Sequence, residues 1–529
     1  MNVPTFSKLT WCGVLCLAAP AAAATCEELS SLKLSDTTIA TAQVVAAGQF
    51  TPPAGLAAPF KDLPPFCRVA GSIKPSSDSN IQFEVWLPTS GWNGKLAGVG
   101  NGGFAGQIPY SSLTLPLTRG YAVATTDTGH TGGDASWALG HPEKVVDFGY
   151  RAIHETAVQA KAIIRAFYGD GPRRSYFSSC SNGGRQALME AQRYPADYDG
   201  IIAGAPANFW THHFSGFVWN LQALSDPASH ISPAKLKTIE AAAVAACDAR
   251  DGVADGVIDD PSKCGFDPAT LLCKGEESDS CLTQAQVTAL KKIYEGPRTS
   301  KGEQIFPGYA PGGETGGGGW NLWITATKSA QYMFGTQFFG NMVFENASWD
   351  YKTFNVDRDV KVADDKTARI LNSTDPDLTA FKKRGGKLIL YHGWSDAAIP
   401  PRNTINYYET VVKKMGQREA DQFTRLFMVP GMQHCYGGPG PSGFGQAGPP
   451  SVSAADAQHD ISLAIENWVE KGIAPESLIA TKPVSDSDPS KGVVRTRPLC
   501  AYPLVARRKG TGSTDDAANF TCVKEEAGK

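Results

Sequence analysis

The sequence has no CxxC pair, no long run of like charges and no segment of about 18 uninterrupted apolar residues, the length a membrane-spanning helix needs. The missing CxxC argues against a cysteine-based metal site. The formal net charge of −3, with no basic run, leaves no electrostatic footprint for nucleic acid or an anionic membrane. The missing apolar segment argues against an integral membrane protein. Small uncharged substrates fit this balance better.

What is present is a chain of 529 residues, 42% hydrophobic and 19% charged, long enough for a folded globular protein with more than one structural unit. Lys8, the apolar run Trp11–Ala19 and Ala22–Ala24 together read as a secretory leader, residues 1–24, cleaved after Ala24. The alternative is an N-terminal helix packed in the core. Twelve cysteines less Cys12 and Cys16 of the leader leave ten, an even number in an export-directed chain, which argues for disulfides. Counting does not give connectivity. Near neighbours in sequence offer Cys247 with Cys264, Cys273 with Cys281, Cys500 with Cys522, and Cys26 with Cys67, leaving Cys180 and Cys435.

Short apolar or alternating runs bounded by Gly, Pro and Asp recur at Phe83–Leu87, Lys95–Val99, Tyr121–Thr125, Arg174–Ser178, Gly200–Ala203, Lys387–Tyr391 and Arg425–Val429. They read as buried strands. Helical patterns lie between several of them, at Ile153–Phe167, Arg185–Arg193 and Asp460–Lys471, which predicts an α/β fold with a mostly parallel sheet covered on both faces. The alternation fails over residues 209–374, a stretch rich in aromatics with the cluster Gly316–Gly319 and four cysteines. The predicted organisation is an α/β unit of residues 25–208 and 375–529 interrupted by an inserted unit, 209–374, placed to cover the sheet as a lid would. No internal repeat is present.

Within Tyr176–Glu190 (YFSSCSNGGRQALME) a strand runs into Ser179-Cys180-Ser181-Asn182-Gly183 and then a helical pattern. This is nearly the GxSxG nucleophile elbow, with Ser179 in place of the first glycine. Alone the match is loose. α/β-Hydrolases supply the partners in the order Ser, Asp or Glu, His, from loops after later strands. Asp396 follows Lys387–Tyr391 and His434 follows Arg425–Val429, each at the end of a strand, where open α/β sheets put their ligand sites. The bland readings are a turn cap for Asp396 and a backbone-bonded loop histidine for His434. Bridged cysteines stand with Cα atoms roughly 4.4–6.8 Å apart, so a Cys180–Cys435 bond would set Ser181 beside His434. Cys180 as a free thiolate nucleophile conflicts with the leader. A metal site at His434 and Cys435 lacks further ligands with zinc spacing.

The segment from Gly98 to Gly103 formally satisfies the dinucleotide fingerprint GxGxxG, but Gly106 and Pro109 stand where that motif needs a helix. The bland alternative is a plain glycine turn. In a hydrolase this loop would give one N–H to the oxyanion hole and Asn182 the other.

With Cys180-Ser181, Asp396 and His434-Cys435 assembled, the sequence resembles the tannase and feruloyl esterase family of serine esterases, which carries a CS–D–HC arrangement. The resemblance extends to Tyr176–Ala207, the HGWSDA and VPGMQHC segments, and RTRPLC from Arg495 to Cys500. It implies an α/β-hydrolase core with a large lid, a disulfide joining Cys180 and Cys435, the four other pairs above, and Gly103 as an oxyanion donor. Asp248, Asp251 and Asp255, interleaved with Val253 and Val257, offer carboxylates and backbone carbonyls in a tight turn, either a plain Asp/Gly turn or what calcium requires. The resemblance favours a structural calcium ion in the lid. No organic cofactor is implied.

The expected activity is a secreted serine carboxylic ester hydrolase cleaving hydroxycinnamate esters of the feruloyl type, with plant polysaccharide as the carrier of the acyl group. Galloyl esters are the second choice. Terephthalate monoesters rank third, because Phe338–Trp349 contains no arginine to meet a free carboxylate. A calcium-bound binding protein without catalysis is the rival from another class. Phe209, Trp210, Trp320, Trp323, Phe338 and Phe339 are candidate contacts for an aromatic ring, each set against the ordinary reading of core packing.

Overall fold

The computed structural model describes residues 1, 23–53, 60–447, 455–486 and 488–524. Residues 2–22, on which nearly all of the expected leader falls, lie outside them. Nine strands form one sheet: β1 (Thr37–Val45), β2 (Phe66–Ile73), β3 (Ile81–Pro88), β4 (Lys95–Val99), β5 (Ala122–Thr126), β6 (Arg174–Cys180), β7 (Gly200–Gly204), β8 (Lys387–Gly393) and β9 (Thr424–Val429). Their spatial order is β1-β2-β3-β5-β4-β6-β7-β8-β9. From β5 to β9 neighbours pair in parallel, and β1, β2 and β3 add an antiparallel edge. Strands β5 and β7 are buried along their whole length, as strands covered on both faces must be.

Strands β1 and β2 have no counterpart among the sequence expectations. In β1 a register shift between Ile39 and Thr41 breaks the two-residue alternation that marks a half-buried strand. In β2 the charged Arg68 interrupts the apolar pattern, and its guanidinium pairs with the buried Glu84 carboxylate of β3.

The helix Ala152–Tyr168 stops at Gly169, whose φ of 82° only glycine adopts cheaply. The helix Ile461–Lys471 starts at Asp460, whose carboxylate accepts hydrogen bonds from the N–H groups of Ser462 and Leu463. Its buried residues Ile461, Ala464, Ile465 and Trp468 pack with Ile202, Ile389 and Phe427 of the sheet.

Between β7 and β8 the chain adds no strand to the sheet. It forms helices instead, including Trp210–Ala223, Pro233–Cys247, Gln284–Glu295 and Ala330–Gln337. An aromatic cluster joins this inserted segment to the rest of the chain: Trp210, Phe214, Phe217 and Phe338 pack with Phe104 and Phe148. Two hairpins close the chain, β10 (Ser477–Pro483) with β11 (Val493–Cys500), and β12 (Leu504–Arg508) with β13 (Phe520–Lys524).

Candidate active site

Ser181 stands alone between β6 and the helix Asn182–Arg193, with φ 67° and ψ −125°. That conformation is strained for any residue but glycine, and here the surroundings hold it. The Ser181 N–H donates to the Gly204 carbonyl at 2.9 Å, and its own carbonyl accepts from Ala207 N–H at 3.1 Å and Arg185 N–H at 3.0 Å. The turn is so close that a Cβ at Gly183 would stand 1.9 Å from Ser179 Oγ, and one at Gly184 would stand 2.3 Å from the Gly204 carbonyl oxygen. Serine at 179 is therefore accommodated because residue 183 has no side chain.

The other two residues arrive from the ends of β8 and β9. His434 Nε2 lies 2.9 Å from Ser181 Oγ, and His434 Nδ1 lies 2.8 Å from Asp396 Oδ2. The second Asp396 oxygen accepts from the N–H groups of Ala398 and Ile399 at 2.7 and 2.9 Å, so the carboxylate is fixed by its own turn. Burial opposes its ionisation, yet the facing His434 and His392 imidazoles hold the Asp396 carboxyl well below the usual carboxylate range. His392 was not singled out in the sequence. It is fully buried, four residues before Asp396, with Nε2 3.2 Å from Asp396 Oδ2 and 3.0 Å from the Ile399 carbonyl, and Nδ1 2.7 Å from Thr404 Oγ1. A histidine following the apolar run Leu388–Tyr391 of β8 was the available signal.

Five disulfides join the ten cysteines beyond residue 25: Cys26–Cys67, Cys180–Cys435, Cys247–Cys264, Cys273–Cys281 and Cys500–Cys522. The Cys180–Cys435 Cα atoms are 6.0 Å apart. This bond ties the residue before Ser181 to the residue after His434. Cys435, like Ser181, has a positive φ, 68°.

Gly103, with φ 55°, and Asn182 line the same cavity as Ser181. The glycine loop is sewn to the helix behind the serine. Asn101 N–H donates to Gln186 Oε1 at 2.9 Å, and Asn182 Nδ2 donates to the Asn101 carbonyl at 3.3 Å. Arg185, fully buried, donates to Asn182 Oδ1 at 2.8 Å and to the carbonyls of Phe148, Gly149 and Leu371. Burial pushes its guanidinium down to about 9.

Apart from His213, the cavity's other walls are apolar: Trp210, Phe214, Phe217, Trp323 and Phe334 of the inserted segment, with Ala207, Ala398 and Ile399. The Trp323 ring meets His434 edge-on at 5.2 Å between centroids. Of the six aromatics named from the sequence, Trp210 and Trp323 line this cavity. Trp320, Phe338 and Phe339 are buried core residues, and Phe209 stacks on His212 at 3.7 Å. Phe214, Phe217 and Phe334 were missed, since helical spacing of aromatics reads equally as core.

The expected calcium residues lie in the loop closed by Cys247–Cys264, but their carboxylates are spent locally. Asp248 accepts from Asp255 N–H at 3.3 Å and Gly256 N–H at 3.0 Å, Asp251 from Val253 N–H at 2.8 Å, and Asp255 from Val257 N–H at 3.2 Å and from Arg495 and Arg497. Among the described residues no group of three or more His, Cys, Asp or Glu side chains could hold a metal ion as they stand. Preassembly of the calcium site is thus not found.

Comparison with known proteins decides the family. The family model described as Tannase and feruloyl esterase matches residues 67–523. The chain belongs to that family. The esterase is 47% identical over 540 residues to an uncharacterized esterase of Xanthomonas campestris pv. campestris, covering 97% of this chain and 93% of the relative. It is 34% identical over 467 residues to a protein of Aspergillus terreus named "Probable feruloyl esterase B-2", covering 86% of each. Among solved structures, feruloyl esterase B from Aspergillus oryzae superposes with a TM-score of 0.88 at 31% identity, covering 94% of this chain and 99% of the other. A tannin acyl hydrolase from Aspergillus niger gives 0.74 at 25% identity, covering 93% and 92%. The sheet is an α/β-hydrolase core, and the esterase is a carboxylic ester hydrolase of the class that acts on aromatic esters. Among the described residues no helix is long and apolar enough to cross a membrane.

Proposed function

We propose that Ser181, His434 and Asp396 form the catalytic triad, and that the reaction runs through an acyl-enzyme. The observation that carries this is the unbroken Asp396–His434–Ser181 hydrogen-bond chain at a strained strand-to-helix turn. Ser181 Oγ attacks the ester carbonyl while His434 Nε2 takes its proton and then passes it to the leaving alkoxide. Asp396 keeps the imidazole in the tautomer with hydrogen on Nδ1 and stabilises the imidazolium. The N–H groups of Gly103 and Asn182 receive the oxyanion. Water activated by His434 releases the acid and restores Ser181. Residues 209–374 act as the lid, because they supply the aromatic walls over a core built from 25–208 and 375–529.

For the acyl group we favour a hydroxycinnamate of the feruloyl type, carried by plant polysaccharide, over a galloyl group. The support is the higher TM-score and identity to feruloyl esterase B than to the tannin acyl hydrolase. A terephthalate monoester ranks below both, as the residues lining the cavity include no arginine or lysine. Measuring kcat/KM on methyl ferulate and methyl gallate decides between the first two. A purified Ser181→Ala protein with full activity on both would overturn the triad, whereas folded wild-type protein that cleaves neither ester and does not react with a fluorophosphonate would favour a non-catalytic binding protein.

Export through the leader into a periplasm or the medium accords with five disulfides. For calcium, the carboxylates of Asp248, Asp251 and Asp255 and the carbonyls of Val253 and Val257 are the ligands we assign, after these side chains turn from their backbone partners. Bound there, a divalent cation would relieve the mutual repulsion of the carboxylates and brace the loop. Elemental analysis of the purified protein and a fall in Tm on chelation test this. A calcium-free protein whose Tm is unmoved by added calcium rejects it.

A further inference from the structure

One polar group in the cavity wall has no task in the scheme above. His213 lies on the helix Trp210–Ala223, is 3% exposed, and lines the same cavity as Ser181. Its Nε2 lies 3.0 Å from the carbonyl oxygen of Ala398. A carbonyl only accepts, so Nε2 carries the hydrogen, and a neutral ring then presents a lone pair at Nδ1. That Nδ1 is buried and has no hydrogen-bond partner.

The surroundings keep the ring neutral. Phe217, Phe214 and Phe306 crowd it at centroid distances of 4.3, 5.4 and 5.6 Å. Burial pushes the imidazole down to about 4, against the smaller opposing pull of the Ala398 carbonyl and the Asp396 charge. In the proposed scheme the Asn182 and Gly103 N–H groups serve the reacting carbonyl, and the remaining residues lining the cavity besides Ser181 are aromatic or aliphatic. A buried acceptor without a donor is costly, and a site that holds one discriminates strongly in favour of a ligand that brings the donor.

We propose that His213 Nδ1 accepts a hydrogen bond from a phenolic hydroxyl on the acyl ring of the ester, which makes His213 the residue that selects hydroxylated aromatic acyl groups over bare ones. The inference rests on reading this cavity as the acyl site of the esterase. It assigns to the pocket one directional contact among otherwise shape-based ones. It also explains why a helix contributing Trp210, Phe214 and Phe217 to an apolar wall carries an imidazole between them.

The test is the ratio of kcat/KM for methyl 4-hydroxycinnamate over methyl cinnamate, substrates that differ by one hydroxyl. The wild-type enzyme is expected to favour the hydroxylated ester by at least about tenfold. In His213→Phe and His213→Met, which offer no acceptor, the ratio falls to within about twofold of unity. In His213→Gln, whose amide N–H can serve Ala398 while its oxygen accepts, a preference of several-fold returns. A purely structural His213 would change rates on both esters together, so an unchanged ratio in the Phe and Met variants overturns the assignment. Should those variants not fold, wild-type inhibition decides: 4-hydroxycinnamate must bind at least about tenfold more tightly than cinnamate, and equal inhibition overturns the proposal. If the wild type cleaves neither ester, the acyl-site reading itself falls, an outcome distinct from cleavage of both without discrimination.

Discussion

Ser181 Oγ and His434 Nε2 lie 2.9 Å apart although 253 residues separate them in the chain. The contact is closed from both sides, by the strand ends that carry the two residues and by the Cys180–Cys435 bond at their immediate neighbours. Proximity of this kind is sensitive to small displacement, and a misplacement of about 1 Å can cost roughly 100-fold in rate.

Replacing both cysteines, Cys180→Ala with Cys435→Ala, is therefore expected to lower kcat by about 100-fold while the far-UV circular dichroism stays native. The chain-entropy picture puts the stability loss on the order of 5 kcal/mol for so long a loop. Removing Cys273 and Cys281, whose separation is only 8 residues, should spare the rate. A folded protein that lacks the first bridge and keeps its kcat would show that the strands alone position the pair.

Gly183→Ala is expected to abolish ester cleavage, because the added methyl would stand 1.9 Å from Ser179 Oγ and 2.5 Å from Ser179 Cβ. Beyond that side chain the next nearest atom is the Asn101 carbonyl oxygen, at 3.3 Å. The double variant Ser179→Gly, Gly183→Ala should then regain at least about a tenth of wild-type kcat, limited by the remaining contact and the strained turn. Equal loss in the single and double variants would place the obstruction elsewhere.

Asp396→Asn should lower kcat by roughly 10³–10⁴-fold, since an amide at that position no longer enforces hydrogen on His434 Nδ1. The wild-type carboxyl is held below its ordinary range by the two imidazoles. Its stabilising share is thus present above the unfolded-state value of about 3.9 and lost as pH falls beneath it. Kinetics of the variant on methyl ferulate check the first expectation. Acid unfolding midpoints of both proteins check the second, and identical midpoints would refute it.

Glu314 gives a pH effect of opposite sign. It is fully buried, with Tyr294 Oη and the Gly312 N–H donating to it, and burial pushes its carboxyl up to about 7, Tyr294 opposing. The folded protein therefore binds this proton more tightly than the unfolded chain. The stability it confers is full below the unfolded-state value of about 4.3 and is lost as pH rises towards 7. Between pH 5 and 8 the wild-type Tm should fall relative to that of Glu314→Gln. Parallel Tm profiles would exclude the effect.

Much of this was readable in the sequence because the parallel strands are buried on both faces and so appear as short continuous apolar runs, β4 and β9 with nearly their observed ends. Ser181, Asp396 and His434 stand together at strand ends, where the chain order placed them. The antiparallel edge was not readable: a bulge in β1 and a charged residue in β2 erase the alternation on which such a reading depends. The cavity beside Ser181 was only half legible. Phe214 and Phe217 face a cavity, Phe338 a core, and all three carry the same apolar ring in helical context. The acidic loop shows the converse, where residue types that suit a cation are occupied by backbone N–H groups and arginines.

The inserted segment leaves the sheet after β7 and returns at β8. It supplies Trp210, Phe214, Phe217, Trp323 and Phe334 to the cavity, whereas the serine, the glycine loop and the histidine–aspartate pair come from either side of it. In the proposed scheme, reactivity and selectivity are consequently written in separate stretches of one gene. Drift or recombination confined to the middle of the chain can retune which acyl group is accepted while the hydrolytic machinery is inherited unchanged.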